Sequence, residues 1–183
     1  FGCWGKTPGK CVINDEMPGL MDLFLESDCA GLGTPVYSMY MTGLLKNFMD
    51  RLLPLATPHI RRNADGTFYH DGRIKRFPRV FCVANCGFPG EHNFDLLKAM
   101  VVRMSPVLEI YRNCGEVLGD IGEADTPAIS EFYDALRQAG REMVAGGPVS
   151  EETVRRIHAE LISDEEYMAG ANRHWDEEIR RAE

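Results

Sequence analysis

Two cysteines near the start of the chain are the first residues whose type and spacing suggest chemistry. Cys3 and Cys11 are separated by seven residues, which include Pro8 and Gly9. Thiolates at short spacing ligate zinc ions or iron–sulfur clusters, but such a centre normally needs four ligands. The residues themselves therefore favour two ordinary loop thiols, and a metal site is the alternative hypothesis.

A loop rich in small residues and hydroxyls, residues 33–43, is the second candidate. It follows a weak apolar segment, Cys29 to Leu32, that we predict to be a strand, although Gly31 and Gly33 weaken that prediction. Apolar residues at helical spacing from Leu44 to Leu53 predict a helix after the loop. Ligands of open α/β sheets bind at the carboxyl ends of strands, so a flat cofactor could lie at this loop.

A second unit of strand, loop and helix repeats this arrangement. The continuous apolar run from Val80 to Ala84 predicts a central parallel strand that is buried on both faces. A loop of small residues, 85–90, follows it and leads into a predicted helix. Cys86 stands near the start of that helix, where a buried, inert thiol is favoured over a reactive one.

The last strand is predicted at residues 107–114, and the chain is predicted to be helical from Thr126 onward. Ser150 is expected to cap one of these helices, and Ser163 with Glu166 forms a capping box for the last. Ala171, Trp175 and Ile179 recur every fourth residue of it. We expect the segment 126–183 to provide cover and a dimer surface rather than chemistry.

Residues 54–79 form an insertion with the one basic patch of the chain. Two Asp-Gly pairs flank a short alternating run and predict a hairpin. One hypothesis is a lid that attracts the phosphates of a nicotinamide dinucleotide. A solvated insertion or a dimer contact is favoured, because charge runs are usually solvated.

Composition excludes several classes of function. The chain has 183 residues, of which 44% are hydrophobic, and the size predicts one domain, 1–183. Its formal net charge of -8 disfavours nucleic acid and anionic membrane as main partners. Six dispersed cysteines and the absence of a long apolar run favour a reducing, cytoplasmic setting.

The two candidate motifs together resemble a known family. Thr34-Pro35-Val36-Tyr37, followed by residues 46–51, is similar to the flavin-binding segment of the flavodoxin-like NAD(P)H-dependent FMN reductases. Residues 1–11 resemble the second half of the cysteine motif in the iron-sulfur flavoprotein branch, and the resemblance continues to residues 171–175. It implies a flavodoxin-like doubly wound parallel sheet with helices on both faces, FMN as the cofactor and NAD(P)H as the electron donor.

The resemblance also implies site residues. The loops after the two strands would hold the isoalloxazine ring, with Asn85 donating to its pyrimidine edge and Gly87 allowing close backbone approach. Cys3 and Cys11 would ligate a [4Fe-4S] cluster together with two cysteines upstream of Phe1. No side chain is expected to dominate as an acid, base or nucleophile. The implied cofactor-binding residues are Thr34, Pro35, Val36, Tyr37, Ser38, Met39, Asn85, Cys86, Gly87 and Phe88.

The family's phosphate-binding loop and first strand have no counterpart in these residues. We therefore expect an amino-terminally truncated chain that lacks the first strand of a 2-1-3-4-5 sheet. Three functions are open: an FMN-dependent NAD(P)H oxidoreductase with a small-molecule acceptor, an iron-sulfur flavoprotein that carries electrons between redox proteins, and a non-catalytic flavodoxin-like binding module. A homo-oligomer is expected in each case.

Overall fold

The structure, a computed structural model, describes residues 1–119 and 126–182. The chain divides into two compact units. The smaller unit consists of Phe1–Leu32 and Thr42–Val80, and the larger unit consists of Gly33–Met41 and Phe81–Glu183. The sequence-based division into one domain with an insertion stays a prediction.

The described residues form both helices and strands. In the first half of the chain they are α1 (Gly2–Gly5), α2 (Met17–Glu26), β1 (Cys29–Pro35), α3 (Gly43–Asp50), β2 (Ala56–Arg62) and β3 (Phe68–Gly72). In the second half they are β4 (Arg79–Asn85), α4 (Asp95–Val101), β5 (Leu108–Arg112), α5 (Pro127–Val144), α6 (Glu151–Ile157) and α7 (Asp164–Ala182).

The core of the smaller unit is built on α2. Met17, Met21 and Phe24 lie on one face of this helix and are buried, as their spacing of four and three residues requires. The ring of Phe24 contacts Phe48 of α3 and Phe77, with ring centroids 5.9 and 5.1 Å apart. These contacts stabilise α2 against α3.

The predicted hairpin is confirmed in the smaller unit. Strands β2 and β3 pair antiparallel, with Arg61 opposite Tyr69. The amide of Thr67 donates to Asp65 Oδ1 over 2.9 Å, which closes the turn at the first Asp-Gly pair. The second pair, Asp71 and Gly72, ends β3 instead of forming a turn. The lid and dimer hypotheses for this insertion stay predictions.

The main sheet has the strand order β1-β4-β5. Strands β4 and β5 run parallel, from the pair Phe81 and Leu108 to the pair Asn85 and Arg112. Strand β1 forms in spite of Gly31 and Gly33 and continues to Pro35, three residues beyond the predicted end. The parallel α/β class predicted from the sequence is confirmed.

Helices pack on both faces of the sheet in the larger unit. On one face, Phe94, which leads into α4, contacts Tyr111 of β5 with ring centroids 5.3 Å apart. The opposite face of β5 carries a core cluster with α5 and α6. That cluster contains Leu108, Ile110, Phe132, Ala135, Ala139 and Ile157. Helices on both faces are the predicted flavodoxin-like arrangement.

The prediction that β4 is buried on both faces is wrong. Val80, Cys82 and Ala84 are buried, whereas Val83 is 39% exposed and Phe81 is half-buried. The reason is that α5 and α6 build their core against β5. On the same face, Phe81 and Val83 line an apolar cavity of about 620 Å³.

The C-terminal helices begin where their caps predict. The hydroxyl of Ser150 accepts from the amide of Thr153 at the start of α6. Ser163 and Glu166 form the predicted capping box, because Ser163 Oγ accepts from the amide of Glu166 over 3.3 Å and the amide of Ser163 donates back to Glu166 Oε2 over 3.4 Å. Within residues 1–119 and 126–182, no helix has the length and apolarity needed to cross a membrane.

Candidate functional site

A cavity of about 730 Å³ at the carboxyl ends of the parallel strands is the candidate site. It is built entirely within the larger unit, from the segments that follow β1, β4 and β5 and from one face of α7. The lining residues are Val36, Tyr37, Ser38, Met39, Cys86, Gly87, Phe88, Pro89, Asn93, Glu116, Tyr167, Met168, Ala171, Asn172 and Trp175.

Backbone hydrogen bonds join the three segments that follow the strands. The amide of Val36 donates to the carbonyl of Asn85 over 2.7 Å, and the amide of Cys86 donates to the carbonyl of Arg112 over 2.9 Å. The amide of Gly115 donates to the carbonyl of Cys86 over 2.8 Å. The loops are therefore fixed to one another by the strand register, which pre-organises the cavity.

The first loop presents side chains outward. Ser38 and Met39 have positive φ values of 49° and 68°, and the backbones of Tyr37 and Tyr40 bond to each other in both directions, over 3.0 and 3.1 Å. This tight turn leaves Tyr37 68% exposed beside the cavity. A tyrosine ring and a methionine side chain at the mouth of a cavity provide a surface for a flat ligand.

The second loop combines a buried thiol with an exposed ring. Cys86 is buried, and its Sγ donates to the carbonyl of Phe88 over 3.3 Å. Burial raises the pKa of the Cys86 thiol, which supports the prediction of an inert cysteine. The ring of Phe88 is exposed at the cavity. Gly87 approaches the next segment closely, since a Cβ there would lie 3.4 Å from Glu116 Oε1.

The segment after β5 and helix α7 meet at a hydrogen bond. The hydroxyl of Tyr167 donates to Glu116 Oε2 over 2.8 Å. Burial, and then this bond to the carboxylate, raises the pKa of Tyr167, so the phenol keeps its proton at neutral pH. The pair fixes α7 at the edge of the cavity.

Helix α7 is the part of the site that the sequence analysis missed. Tyr167, Ala171 and Trp175 all line the cavity, although the segment was expected to provide cover and a dimer surface rather than chemistry. Tyr167 precedes the predicted Ala171, Trp175 and Ile179 series by four residues, so it lies on the same face. The spacing of four residues could have predicted that these side chains share one face of α7, but it does not show which surface of the protein that face contacts.

The structure separates the predicted cofactor-binding residues into two groups. Val36, Tyr37, Ser38, Met39, Cys86, Gly87 and Phe88 line the 730 Å³ cavity. Thr34, Pro35 and Asn85 line the 620 Å³ cavity on the α5 side of the sheet. The cofactor-binding role of both groups stays a prediction.

The two N-terminal cysteines have different environments in the smaller unit. Cys3 is buried on α1. Cys11 lies 3.7 Å from Arg51 Nη2, and the same guanidinium pairs with Asp15 over 2.5 Å. The backbone hydrogen bond with Ile13 and the bond from Arg51 lower the pKa of the Cys11 thiol.

A metal cluster does not fit the donors that the structure describes. In residues 1–119 and 126–182, no group of three or more His, Cys, Asp or Glu side chains could hold a metal ion. An iron–sulfur cluster needs four thiolates. The prediction of Cys3 and Cys11 as cluster ligands therefore stays a prediction, and no chemistry is assigned to a cluster here.

A parallel sheet in the order β1-β4-β5, covered by helices on both faces and carrying its cavity at the strand ends, defines the flavodoxin-like class of α/β proteins. Residues 2–64 match the family model of the NADPH-dependent FMN reductases. An iron-sulfur flavoprotein of Archaeoglobus fulgidus is 46% identical over 46 residues, which cover 25% of this chain and 21% of that protein.

An iron-sulfur flavoprotein of Methanocaldococcus jannaschii is 31% identical over 97 residues, which are 53% of this chain and 48% of that protein. The matches thus span at most about half the length of these relatives. They confirm the resemblance predicted from the sequence. The chain is thus similar to the NADPH-dependent FMN reductase family over residues 2–64, and to iron-sulfur flavoproteins over about half of its length or less.

Proposed function

We propose that this protein is an FMN-dependent NAD(P)H oxidoreductase whose isoalloxazine ring lies in the 730 Å³ cavity. One observation carries the proposal: the segments after β1, β4 and β5, joined by backbone hydrogen bonds, open onto a single cavity at the carboxyl ends of the strands. The match to the FMN reductase family supports the choice of flavin.

The residues of the cavity fit a flat heterocycle. The volume lies within the range of about 300–1,000 Å³ that is usual for small-molecule sites. Tyr37, Phe88 and Trp175 offer aromatic faces, and Ser38 and Asn172 offer polar groups at the edges. Gly87 keeps the second loop free of a Cβ at the narrowest point.

The side chains of the cavity suggest which tasks belong to the flavin and which to the protein. A bound flavin supplies the hydride and electron chemistry, and the chain binds and orients the ring. The raised pKa values of Cys86 and Tyr167 keep both groups protonated at neutral pH. We therefore propose that they act as neutral walls of the site.

A titration with FMN tests the proposal, with Tyr37→Ala as the variant and Phe68→Ala as its control. The two rings are equally exposed, at 68% and 69%, but Phe68 lies on the β3 strand of the smaller unit. Loss of a stacking ring should weaken FMN binding about tenfold. Quenching of FMN fluorescence measures the affinity, and anaerobic bleaching of the flavin band by NADH or NADPH identifies the donor.

Three results would contradict the proposal. A protein that takes up no FMN would leave the non-catalytic binding module as its function. Normal FMN binding by Tyr37→Ala, with the same affinity as Phe68→Ala, would place the ring outside this cavity. An unchanged flavin spectrum with both nicotinamides would exclude NAD(P)H as the electron source.

A second candidate function is an electron carrier between redox proteins. The observation that favours it is that both curated relatives are named iron-sulfur flavoproteins. Acid-labile sulfide, assayed together with an anaerobic absorbance spectrum, distinguishes the two. Flavin with sulfide would support the carrier and assign Cys3 and Cys11 as ligands, whereas flavin without sulfide would leave a plain FMN reductase. A homo-oligomer is part of either proposal.

A further inference from the structure

The candidate site carries a single formal charge. Among the described residues that line the cavity, Glu116 is the one side chain that is charged at neutral pH, because Cys86 and Tyr167 have raised pKa values. The remaining lining residues are apolar, hydroxyl or amide groups. A small molecule in the cavity therefore meets one carboxylate, and none of the described lining residues supplies a balancing cation.

The carboxylate is held in place. Glu116 Oε2 accepts the hydroxyl of Tyr167 over 2.8 Å, and Oε1 lies 3.4 Å from the position that a Cβ of Gly87 would occupy. Tyr167 is itself buried. A carboxylate fixed between α7 and the second loop cannot swing away from a ligand without losing this bond.

The charge has a consequence for electron acceptors. Two like charges about 4 Å apart repel by roughly 1 kcal/mol even in water, and more in a less polar cavity. An anionic acceptor therefore binds more weakly than an uncharged acceptor of the same shape. The nicotinamide ring of the donor is not repelled in this way, since the ring is uncharged when reduced and positive when oxidised; the negative charges of the dinucleotide are on its phosphates.

We infer that Glu116 is a specificity-determining residue that selects uncharged, planar aromatic acceptors and disfavours anionic ones. This inference rests on the proposed function, because it takes the reduced flavin as the source of electrons. An uncharged quinone is an example of such an acceptor. It would gain two electrons and two protons from the reduced flavin and become a hydroquinone. NAD(P)H would then supply the hydride that reduces the oxidised flavin again.

Glu116→Gln is the test variant, because glutamine is nearly isosteric and its amide oxygen still accepts the Tyr167 hydroxyl. Glu160→Gln is the control, since it removes the same charge from an exposed residue that does not line the cavity. The probes are anthraquinone-2-sulfonate and the uncharged 2-(hydroxymethyl)anthraquinone. Equilibrium dialysis against oxidised, FMN-loaded protein measures the affinity of each probe in the absence of turnover.

Glu116→Gln should bind the sulfonate about fivefold more tightly than the parent protein, and the uncharged probe within about twofold of it. The gain should shrink at high salt, because added ions screen an exposed charge. Glu160→Gln should match the parent protein. In turnover, kcat/KM for the sulfonate relative to the uncharged probe should rise by the same factor.

A second variant covers the case in which Glu116→Gln does not fold. Tyr167→Phe keeps the charge but removes the hydrogen bond that holds the carboxylate in place, so its preference for the uncharged probe over the sulfonate should be smaller than that of the parent protein. Failure of the protein to take up FMN would refute the proposed function itself. Uptake of FMN with no preference for the uncharged probe, or a preference that Glu116→Gln leaves unchanged, would refute the inference about Glu116 alone.

Discussion

Gly115 offers a direct test of how the strand ends build the site. It is the third residue after the end of β5, and its amide donates to the carbonyl of Cys86 over 2.8 Å. A Cβ at this position would lie 2.9 Å from Asn85 Nδ2 and 3.0 Å from Asn85 Cβ. Real Cβ atoms hardly ever make contacts this short, so Gly115→Ala must displace Asn85.

The expected cost follows from this contact. One inserted methyl group destabilises a well-packed core by about 1–3 kcal/mol, and we expect no more than the middle of that range here because Asn85 is exposed. For a chain of this length, about 2 kcal/mol lowers the melting temperature by about 4–8 °C. Because the carbonyl of Asn85 also accepts the amide of Val36 over 2.7 Å, we expect the displacement to disturb the first loop and to weaken FMN binding as well.

Urea unfolding of the single variants Gly115→Ala and Asn85→Ala and of the double variant measures this effect. Removing the amide of Asn85 takes away its nearest atom, so the double variant should lose less stability than the two single losses added together. Full additivity within about 0.5 kcal/mol would refute the reasoning, because it would show that the two residues do not interact. A Gly115→Ala protein as stable as its parent would refute it equally.

Two further predictions concern the C-terminal helices. Gly140 lies inside α5, where a Cβ would meet no atom within 4 Å. Gly140→Ala should therefore raise the free energy of unfolding, measured in urea, by about 0.5–1 kcal/mol. A lower free energy of unfolding would show that the added methyl group is not accommodated. Hydrogen bonds from Gln138, then Ser150 and Thr153, lower the pKa of Glu142 to about 2. A carboxylate with a depressed pKa stabilises the fold above its ordinary pKa of 4.5, and this stability is lost as the pH falls toward about 2. Glu142→Gln should therefore lose less free energy of unfolding between pH 4.5 and pH 2 than the parent protein does. An equally steep loss in both proteins would exclude this role for Glu142.

The elements that the sequence predicted correctly depend on neighbours a few residues away. The capping box of Ser163 and Glu166 and the Asp65 turn of the hairpin each form within four residues of chain. Such contacts are fixed by local geometry, so the residue types at the right spacing suffice to predict them.

Strand β1 shows where local propensity is overruled. Gly31 and Gly33 disfavour a strand, because glycine loses more backbone entropy on folding than other residues. The strand nevertheless runs from Cys29 to Pro35 as the neighbour of β4 in the sheet. Pairing with another strand is a tertiary contribution, and the sequence of the strand itself does not contain it.

The ends of the strands also explain why the predicted cofactor residues are divided between two cavities. The sequence suggested one loop from Gly33 onward, but β1 continues to Pro35 and β4 includes Asn85. Asn85 shares one face of β4 with Phe81 and Val83, so it meets the cavity on the α5 side, which Thr34 and Pro35 at the end of β1 also line. The residues that come next, Val36 and Cys86, are free of the strand and turn into the other cavity.

Contacts between distant parts of the chain complete the site, and these could not be predicted from local pattern. Tyr167 and Glu116, which meet at the cavity, are 51 positions apart in the chain. A helical stripe reports that one face of α7 is buried or bound, but it does not name the partner. The acceptor selectivity that we propose for Glu116 therefore depends on the packing of α7 beside this carboxylate, and no sequence motif could have predicted it.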